Sequence, residues 1–257
     1  MRKILSVAIV AAAVAATLSG CETQKLQGSM LGEVGGNAMK TLSLSDGDIV
    51  KMSDESCAAM DQKSQVAPAA NKYSVRLAQA IKSMPATVNG KKANYKVYLT
   101  QNVNAWAMAN GCIRVYSGLM DLMNDDELRG VIGHEIGHVA LGHSKARMQT
   151  AYGVSAARGL AAASGNSALA TLSQSQAGDL AEKFINAQFS QSQESAADNY
   201  SFDLLTSTKL ERKGLVTGFQ KLAKLTGDTG GAGSLMSSHP PSSERAANMQ
   251  RRLDSAK

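Results

Sequence analysis

Two histidines and a glutamate in this chain are spaced as metal-assisted hydrolysis requires. His134 and His138 are four residues apart and Glu135 follows the first, which is the pattern H-E-x-x-H. On a helix both imidazoles project from one face about one turn apart, as a single tetrahedral Zn²⁺ needs. Glu135 can then reach a water molecule in the site without binding the metal. Residues 131–132 and 139–141 are apolar, so without a metal the polar groups would be buried unsatisfied. The sequence therefore predicts a zinc site on a buried helix.

The third protein ligand must come from another part of the chain, because a catalytic zinc usually has three protein ligands and one open position. Glu194 is the candidate, since it lies on a predicted helix whose face is otherwise apolar. Asp198 shares its helix face and is predicted to accept the spare N–H of a ligating histidine, which fixes the tautomer. The alternative is a pair of solvent-exposed carboxylates. His143, five residues after His138, is predicted to point off the metal face and not to bind the metal.

Length and composition fit one well-buried domain with an extension. The chain has 257 residues, 44% of them hydrophobic and only 4% aromatic, so its core is built largely from small aliphatic side chains and methionine. The formal charge of +6 is not concentrated in one run. Without a basic stripe or interleaved aromatic residues, nucleic-acid binding is not expected.

Residues 1–20 have the features of a bacterial lipoprotein signal peptide. Arg2 and Lys3 form a basic start, and Ile4 to Leu18 is an apolar run that is too short for a comfortable membrane span. Small residues precede Cys21 and resemble a lipobox, so Cys21 is predicted to carry the lipid; the alternative is an ordinary secretory signal. Residues 21–44 are rich in Gly, Ser, Gln and Asn and are predicted to be a lipid-anchored flexible tether.

The remaining residues, 45–257, predict a mainly helical α+β domain. Helices are predicted at 45–62, 71–84, 117–123, 125–143, 181–206, 215–225 and 242–253, and strands at 95–99, 103–108 and 112–116. Asn110-Gly111 predicts a hairpin between the last two strands. Asn124 and Glu127 predict a capping box at the start of the metal helix. Residues 144–181 are rich in Ala, Gly and Ser and are predicted to form a small-residue helical hairpin that covers the cleft, and 227–234 a glycine-rich loop.

These motifs together resemble the gluzincin metallopeptidases of family M48. The resemblance rests on His134–His138 with Glu194–Asp198, and it extends to Asn104–Leu119 and to Ser238–Arg245. It covers essentially the whole mature chain, with one departure at Ala109, where many relatives have proline. With the lipobox and two further cysteines, the chain is most similar to the outer-membrane lipoprotein proteases of the family.

The resemblance implies a fold and a set of site residues. The fold is a zincin-like (minigluzincin) domain, in which the metal helix lies under a small three-stranded sheet beside a second ligand-bearing helix. His134, His138 and Glu194 would hold one Zn²⁺ per chain, and Glu135 would act as general base. An edge strand would bind an extended polypeptide substrate by strand addition. The residues of this strand are Asn104, Ala105, Trp106, Ala107 and Met108.

Two further residues have predicted catalytic roles. The tetrahedral oxyanion needs a second donor besides zinc, and His239 or Arg245 is expected to provide it. In some relatives the matching histidine occupies the fourth zinc position and holds the enzyme shut, so His239 is either a latch or an oxyanion donor. A third interpretation is that Pro240-Pro241 orders the turn and His239 caps a helix.

The three cysteines divide into one for lipid and two for each other in an exported chain. Cys57 and Cys112 are therefore predicted to form a disulfide between the first helix and the hairpin. The alternative is two buried free thiols.

The predicted function is a zinc endopeptidase anchored to the inner leaflet of the outer membrane and facing the periplasm. Its substrates would be misfolded or unassembled envelope proteins. Expected partners are the outer-membrane protein assembly machinery or a related M48 protease. One alternative is a chaperone-like assembly factor with secondary or latched proteolysis, and another is a zinc-stabilised structural lipoprotein without turnover.

Overall fold

The computed structural model describes residues 44–160, 172–225, 235–239 and 243–256. The predicted leader, Cys21 and the predicted tether up to residue 43 lie outside the described residues, as do the predicted loop at 227–234 and Pro240-Pro241. Leu44–Lys257 forms one compact unit.

Helices dominate, with two small sheets near the middle of the chain. The helices are α1 (Asp46–Lys63), α2 (Lys72–Ala80), α3 (Ser117–Leu122), α4 (Asp125–Ala140), α5 (His143–Leu160), α6 (Gln174–Asn186), α7 (Gln191–Ser207), α8 (Lys213–Leu225), α9 (Leu235–Ser238) and α10 (Ser243–Ser255). The strands are β1 (Thr87–Val88), β2 (Lys91–Lys92), β3 (Asn94–Tyr98), β4 (Ala105–Ala107) and β5 (Cys112–Tyr116). The predicted mainly helical α+β class is confirmed. None of the described helices combines the length and apolarity that crossing a bilayer requires.

The three-stranded sheet has β5 in the centre, parallel to β3 and antiparallel to β4. The predicted hairpin is confirmed: the backbone turns back at Asn110-Gly111, where Gly111 has φ +84° and Asn110 Oδ1 accepts from the Cys112 N–H at 3.0 Å. Because β4 is bonded on one side only, it is an edge strand of this sheet. It also packs against α4, so the sheet lies over the metal helix.

A second, two-stranded sheet was not predicted. β1 and β2 pair around Asn89-Gly90, whose φ angles are +49° and +73°. Two consecutive positive φ values are typical of a two-residue hairpin turn, and the Asn-Gly pair was the available signal for it. The Asn89 side chain donates to the Val139 carbonyl at 2.8 Å. This small hairpin therefore adds a side-chain donor to the carbonyls at the C-terminal end of α4, where the i+4 helix donors are absent.

The metal helix α4 begins as predicted and lies deep in the protein. Asn124 Oδ1 accepts from the Glu127 N–H, and Glu127 Oε2 accepts from the Asn124 N–H, both at 2.9 Å. The helix ends at Ala140, earlier than predicted, because Gly142 turns the chain with φ +76° and α5 starts at His143. Its interior residues are buried on all sides by α7, α8 and the sheet.

Two glycines of the metal motif allow α7 to pack directly on α4. A methyl group on Gly133 would lie 2.5 Å from Ser201 Oγ, and one on Gly137 would lie 3.0 Å from the Ala197 carbonyl oxygen. Only residues without a side chain permit this separation between the two helices. Since α7 carries Glu194 and Asp198, the glycines set how near these carboxylates come to the histidines.

The other face of the sheet is tied to α1. Cys57 and Cys112 are joined by a disulfide with Cα atoms 6.5 Å apart, within the usual range for such bridges. The buried guanidinium of Arg114 lies beside it and donates to both carboxylate oxygens of Asp61, at 2.8 and 2.9 Å. The disulfide and the ion pair therefore hold α1 to the central strand at neighbouring points.

Two predicted helical segments differ from the structure. The predicted helix at 181–206 is interrupted: α6 ends at Asn186, and α7 starts anew with Ser190 as its N-cap in a capping box with Gln193. The predicted hairpin at 144–181 contains α5 and the start of α6, while 161–171 lies outside the described residues. α6 packs on α1, and α5 lies beside the metal helix.

Candidate metal centre

Ligand atoms from α4 and α7 converge at one point in the interior. Nε2 of His134 and Nε2 of His138 are 3.0 Å apart, and Glu194 Oε1 lies 3.2 Å from Nε2 of His138. All three side chains are buried. Two helices that start 66 residues apart, at Asp125 and Gln191, thus supply the predicted ligand set.

His239 reaches the same point from the C-terminal part of the chain. Its Nδ1 is 3.0 Å from Glu194 Oε1 and 3.2 Å from Nε2 of His134. The short helix α9 before it is fixed at both ends, because the Leu235 N–H donates to the Val103 carbonyl and the Ser238 carbonyl accepts from Phe189. His239 is buried, so the structure brings a fourth potential ligand into the site.

The four side chains have the composition and spacing of a tetrahedral zinc site. One ligand atom from each of His134, His138, Glu194 and His239 lies within 4.8 Å of the others. Neighbouring ligand atoms are 3.0–3.2 Å apart. Ligands placed about 2.0–2.1 Å from one zinc ion in tetrahedral geometry are roughly 3.3 Å apart. Three imidazole nitrogens and one carboxylate oxygen also match the ligand preference of Zn²⁺, so the residues fit the metal.

The carboxylate of Asp198 and the guanidinium of Arg245 hold His134 and Glu194 in place. Asp198 Oδ1 lies 2.8 Å from Nδ1 of His134, which is the contact that the sequence suggested. Arg245 donates to both oxygens of Asp198 at 2.7 Å, and its Nη1 lies 2.5 Å from Glu194 Oε2. If Nδ1 of His134 donates to Asp198, its Nε2 is left unprotonated and available to a metal.

His143 lies outside the four-residue cluster, in agreement with the prediction that it is not a ligand. Its Nδ1 lies 3.0 Å from Nδ1 of His138. The predicted extension of α4 to His143 was wrong: the turn at Gly142 starts a new helix, and its first residue, His143, lies behind His138. His143 therefore contacts a predicted ligand on the side away from the cluster.

Burial and neighbouring charges shift the pKa values of the site residues in directions that suit hydrolysis. Burial raises the pKa of Glu135, and its Oε1 has no hydrogen-bond partner among the described residues. Burial also holds the pKa of His138 well below its usual value, so this imidazole is neutral. Burial alone would raise the pKa of Glu194, but hydrogen bonds with His138 and His239 outweigh it and lower the pKa below its usual value. The site therefore contains an ionised carboxylate at Glu194 and, at Glu135, a carboxyl oxygen without a hydrogen bond, which Nε2 of His239 approaches to 3.5 Å.

The sequence profile of peptidase family M48 matches residues 71–253, which is most of the chain and includes every residue of this cluster. The chain belongs to peptidase family M48. It is 50% identical over 244 residues to the Escherichia coli K12 protein named metalloprotease YcaL, with 95% of each chain covered. It is 48% identical over 245 residues to metalloprotease LoiP of the same strain, again with 95% of each chain covered.

A more distant relative matches over a short stretch. Protease HtpX of Acinetobacter baumannii AYE is 54% identical over 37 residues, which is 14% of this chain and 12% of that protein. Family membership and the two long matches show that this M48 protein is a metalloendopeptidase. A protease of this class acts on polypeptides.

Two outward backbone groups of the edge strand β4 in the M48 domain are already hydrogen-bonded to the protein's own side chains. Asn104 and Met108 bond to β5, so the backbone groups of Ala105 and Ala107 face away from the sheet. Asn104 Oδ1 accepts from the Ala105 N–H at 2.8 Å, and Ser144 Oγ donates to the Ala107 carbonyl at 2.9 Å. The Trp106 ring packs against Tyr98, away from the metal.

Two contact residues of this M48 site were missed by the sequence analysis. The ring of Phe189 stacks on His138, with centroids 3.7 Å apart and planes 14° apart. Arg147 lies on Phe189, with Cζ 4.0 Å from the ring centroid. Neither belongs to a motif, although Phe189 lies five residues before Glu194 and Arg147 nine residues after His138. Only the packing of α5 against the α6–α7 connection brings them to the metal helix.

Proposed function

We propose that this M48 protein is a zinc endopeptidase that hydrolyses peptide bonds of misfolded or unassembled envelope proteins. The proposal is carried by one observation: His134, His138 and Glu194 present ligand atoms within 3.6 Å of one another, with Glu135 next to the first of them. One ion per chain would be held by these three residues. A bound zinc ion would polarise the scissile carbonyl and make water more acidic.

Glu135 is proposed to act as general base and then as general acid. Its buried Oε1 lacks a hydrogen-bond partner among the described residues, so it is free to accept a proton from a water molecule in the site. Burial raises its pKa, which makes it a better proton acceptor near neutral pH and lets it return the proton to the leaving amine. Asp198 would hold His134 in the ligating tautomer through the 2.8 Å contact.

His239 is proposed to be a latch in the resting protein. Its Nδ1 lies next to Glu194 and His134, where a fourth ligand would lie, and its Nε2 is 3.5 Å from Glu135 Oε1. In this arrangement the imidazole excludes a substrate carbonyl, so α9 must shift before hydrolysis. After such a shift His239 could donate to the oxyanion, which keeps its predicted catalytic role.

Arg245 is proposed to act by holding the two carboxylates in place. Its guanidinium is engaged by both oxygens of Asp198 and by Glu194. A donor that is already shared between two anions is less available to a third. Arg245 is therefore proposed as a positioning residue and not as the oxyanion donor, which leaves His239 as the one remaining candidate of the two for that contact.

The substrate is proposed to bind as an added strand along residues 104–108. The outward backbone groups of Ala105 and Ala107 supply the donors and acceptors for this pairing. A bound peptide would compete with Ser144 for the Ala107 carbonyl. This gives a reason for extended or unfolded substrates, since a segment whose backbone groups are already hydrogen-bonded cannot pair with an edge strand.

The protein is proposed to be anchored by lipid at Cys21 to the inner leaflet of the outer membrane, facing the periplasm. The support is the lipobox-like sequence before Cys21, together with the Cys57–Cys112 disulfide, which suits an oxidising compartment. Assembly machinery for outer-membrane proteins, or a related M48 protease, would then be near enough to act with it. Fractionation of cells that produce the full chain or its Cys21→Ser variant tests the anchor. The wild type should be in the membrane fraction and the variant should not.

A second candidate function is holding unfolded clients without cutting them. It is favoured by His239, which lies where the fourth ligand would be and closes the site. In this case the Glu135→Gln protein would restore envelope integrity in a bacterium that lacks the protein as well as the wild type does. The protease proposal requires that it does not.

The experiment that tests the protease proposal compares wild type with Glu135→Gln. Zinc content is measured by elemental analysis, and hydrolysis is measured with an unfolded protein substrate. We expect one zinc per chain in both proteins and a loss of at least about 10³-fold in kcat/KM for the variant, because the proton acceptor is gone. Glu182→Gln, which removes a carboxylate from the exposed surface of α6, is the control. Substantial hydrolysis by Glu135→Gln would remove Glu135 as the base.

A further inference from the structure

A cavity of about 340 Å³ opens beside the metal centre between α5 and the α6–α7 connection. Its walls include Arg147, Thr150, Ala151, Val154, Lys183 and Phe189. The size is within the range of small-molecule and side-chain sites. We call it the Arg147 cavity.

The cavity is one aromatic ring away from a metal ligand. His138 stacks on the ring of Phe189 at 3.7 Å, and the Arg147 guanidinium lies 4.0 Å from the centre of the same ring. Two groups this close to one ring centre cannot share a face, so Phe189 is sandwiched between them. A substrate residue spans about 3.3 Å, so a residue one or two positions from the scissile bond would reach the cavity.

Arg147 is a buried cation with an unused donor. It is 8% exposed and lies over the rings of Phe184 and Phe189. Its Nη2 donates to the Ile185 carbonyl at 3.1 Å, but its Nε has no hydrogen-bond partner among the described residues. Burial lowers the pKa of Arg147 to about 10, so it still carries its charge at neutral pH. The carboxylates of Glu135 and Glu194 act on this charge only through space, so the buried Nε donor remains costly unless a ligand accepts its hydrogen bond.

The charged side chains that line the cavity are all positive. Lys183 joins Arg147 in its wall, and no acidic residue lines it within the described part of the chain. The other wall residues are alanine, valine, phenylalanine, threonine and glutamine. An apolar cavity with a cationic end fits a short aliphatic chain that ends in a carboxylate.

We propose that the Arg147 cavity is a substrate subsite that binds a carboxylate of the polypeptide, one or two residues from the scissile bond. The proposal rests on the endopeptidase function proposed above and gives it a substrate preference. The carboxylate comes from an Asp or Glu side chain or from the free C-terminus of the polypeptide. In both cases Arg147 Nε and Nη groups donate to its oxygens.

The test measures binding in a protein that does not cut. Fluorescein-labelled decapeptides of Ala and Ser, with one Glu or one Gln scanned along them, are titrated into full-length, zinc-loaded Glu135→Gln protein. A second pair differs only in a free or amidated C-terminus. We expect Glu at one position, or the free C-terminus, to lower Kd by at least about tenfold, as a charge-assisted hydrogen bond provides. The pair that differs identifies the source of the carboxylate.

Variants connect the preference to the cavity. Arg147→Met keeps an unbranched apolar stem of similar bulk but removes the guanidinium and its donors, and we expect it to abolish the preference. Thr150→Asp places a negative charge on the exposed rim and should reduce the preference by repulsion. Arg251→Gln, an equal charge change on the exposed surface of α10, should keep it.

Equal Kd values for every pair, a preference that survives Arg147→Met, or no binding of any peptide would each overturn the subsite. If Arg147→Met does not fold, Thr150→Asp decides, and an unchanged preference in that variant overturns the proposal. Hydrolysis of the same peptides by protein with Glu135 intact tests the endopeptidase function separately. A binding preference without hydrolysis would therefore contradict only the endopeptidase function. Hydrolysis without a binding preference would contradict only the subsite.

Discussion

Nδ1 of His143 lies 3.0 Å from Nδ1 of His138, so an imidazole from α5 contacts a histidine of the H-E-x-x-H motif in α4 from behind. Burial lowers the pKa of His143, which keeps this ring neutral and able to accept a hydrogen bond. If His138 binds the metal through Nε2, its Nδ1 carries a proton that needs such an acceptor. Together with Asp198 behind His134, each motif histidine then has its own partner.

The first prediction concerns this partner. His143→Ala leaves the Nδ1–H of His138 without its acceptor, and we expect the zinc Kd to rise about 10–100-fold. His143→Asn offers a side-chain oxygen at similar reach and should recover part of the affinity. Competition with a chromogenic chelator measures both. Identical zinc Kd values for His143→Ala and wild type would show that the contact does not support the ligand.

The second prediction separates the two roles of His239. As a latch, its removal opens the site, so His239→Ala should increase hydrolysis of an unfolded substrate by about 3-fold or more at saturating zinc, if the closed form dominates. Zinc affinity should fall because one of four ligand atoms is lost. Steady-state cleavage and zinc titration together measure this. A loss of about 10²-fold or more in kcat with zinc still bound would instead assign His239 to the oxyanion.

The third prediction concerns the packing of α7 on α4. In Gly137→Ala the new methyl group lies 3.0 Å from the Ala197 carbonyl oxygen and 3.2 Å from Ala197 Cα, both backbone atoms that cannot turn aside. The helices must separate, which moves Glu194 relative to the histidines. We expect a loss of stability of about 1–3 kcal/mol and weaker zinc binding.

The control for this variant is Gly47→Ala. Gly47 lies in the first turn of α1, and its added methyl group would meet only Ser45 Oγ at 3.6 Å. This substitution should be neutral or slightly stabilising, because alanine restricts the unfolded chain. Thermal unfolding and zinc titration of both variants separate close packing from the general effect of replacing glycine. Equal melting temperatures for the two variants would contradict the packing argument.

The fourth prediction is a pH dependence of stability at Asp61. Burial favours the neutral acid, but hydrogen bonds from Arg114, Lys96 and Tyr98 outweigh it and lower the pKa of Asp61 below its ordinary value of 3.8. The contribution of Asp61 to the free energy of unfolding is therefore complete above the unfolded-state pKa and is lost as pH falls through the lower folded-state value.

Asp61→Asn tests this pH window. Near neutral pH we expect the variant to lose about 3 kcal/mol, because Arg114, 1% exposed, keeps its charge without its carboxylate partner. The difference from wild type should shrink below about pH 4, where Asp61 of the unfolded chain is protonated first and folded Asp61 follows at lower pH. Urea unfolding at a series of pH values measures it. A constant difference across that range would exclude the ion pair as its cause.

Local patterns determined the elements and half of the site. The H-E-x-x-H spacing, the Asn124–Glu127 capping box and the Asn110-Gly111 turn act within a few residues of chain, so helix periodicity and turn chemistry are sufficient to predict them. Glu194 and Asp198 were found because two carboxylates one turn apart on an apolar helix face need a partner. Asn89-Gly90 carried an equally local signal that was not used.

Tertiary packing alone decided where His143, His239, Phe189 and Arg147 lie. Their positions depend on the close approach of α7 to α4 at Gly133 and Gly137, on a turn at Gly142 and on the anchoring of α9 at both ends. Each is a contact between segments far apart in the chain or a change of direction between helices, and periodicity within one helix has no information about either. The sequence by itself thus specified the chemistry of the metal centre, while the packing of separate helices decided which side chains close it, support it and shape the space beside it.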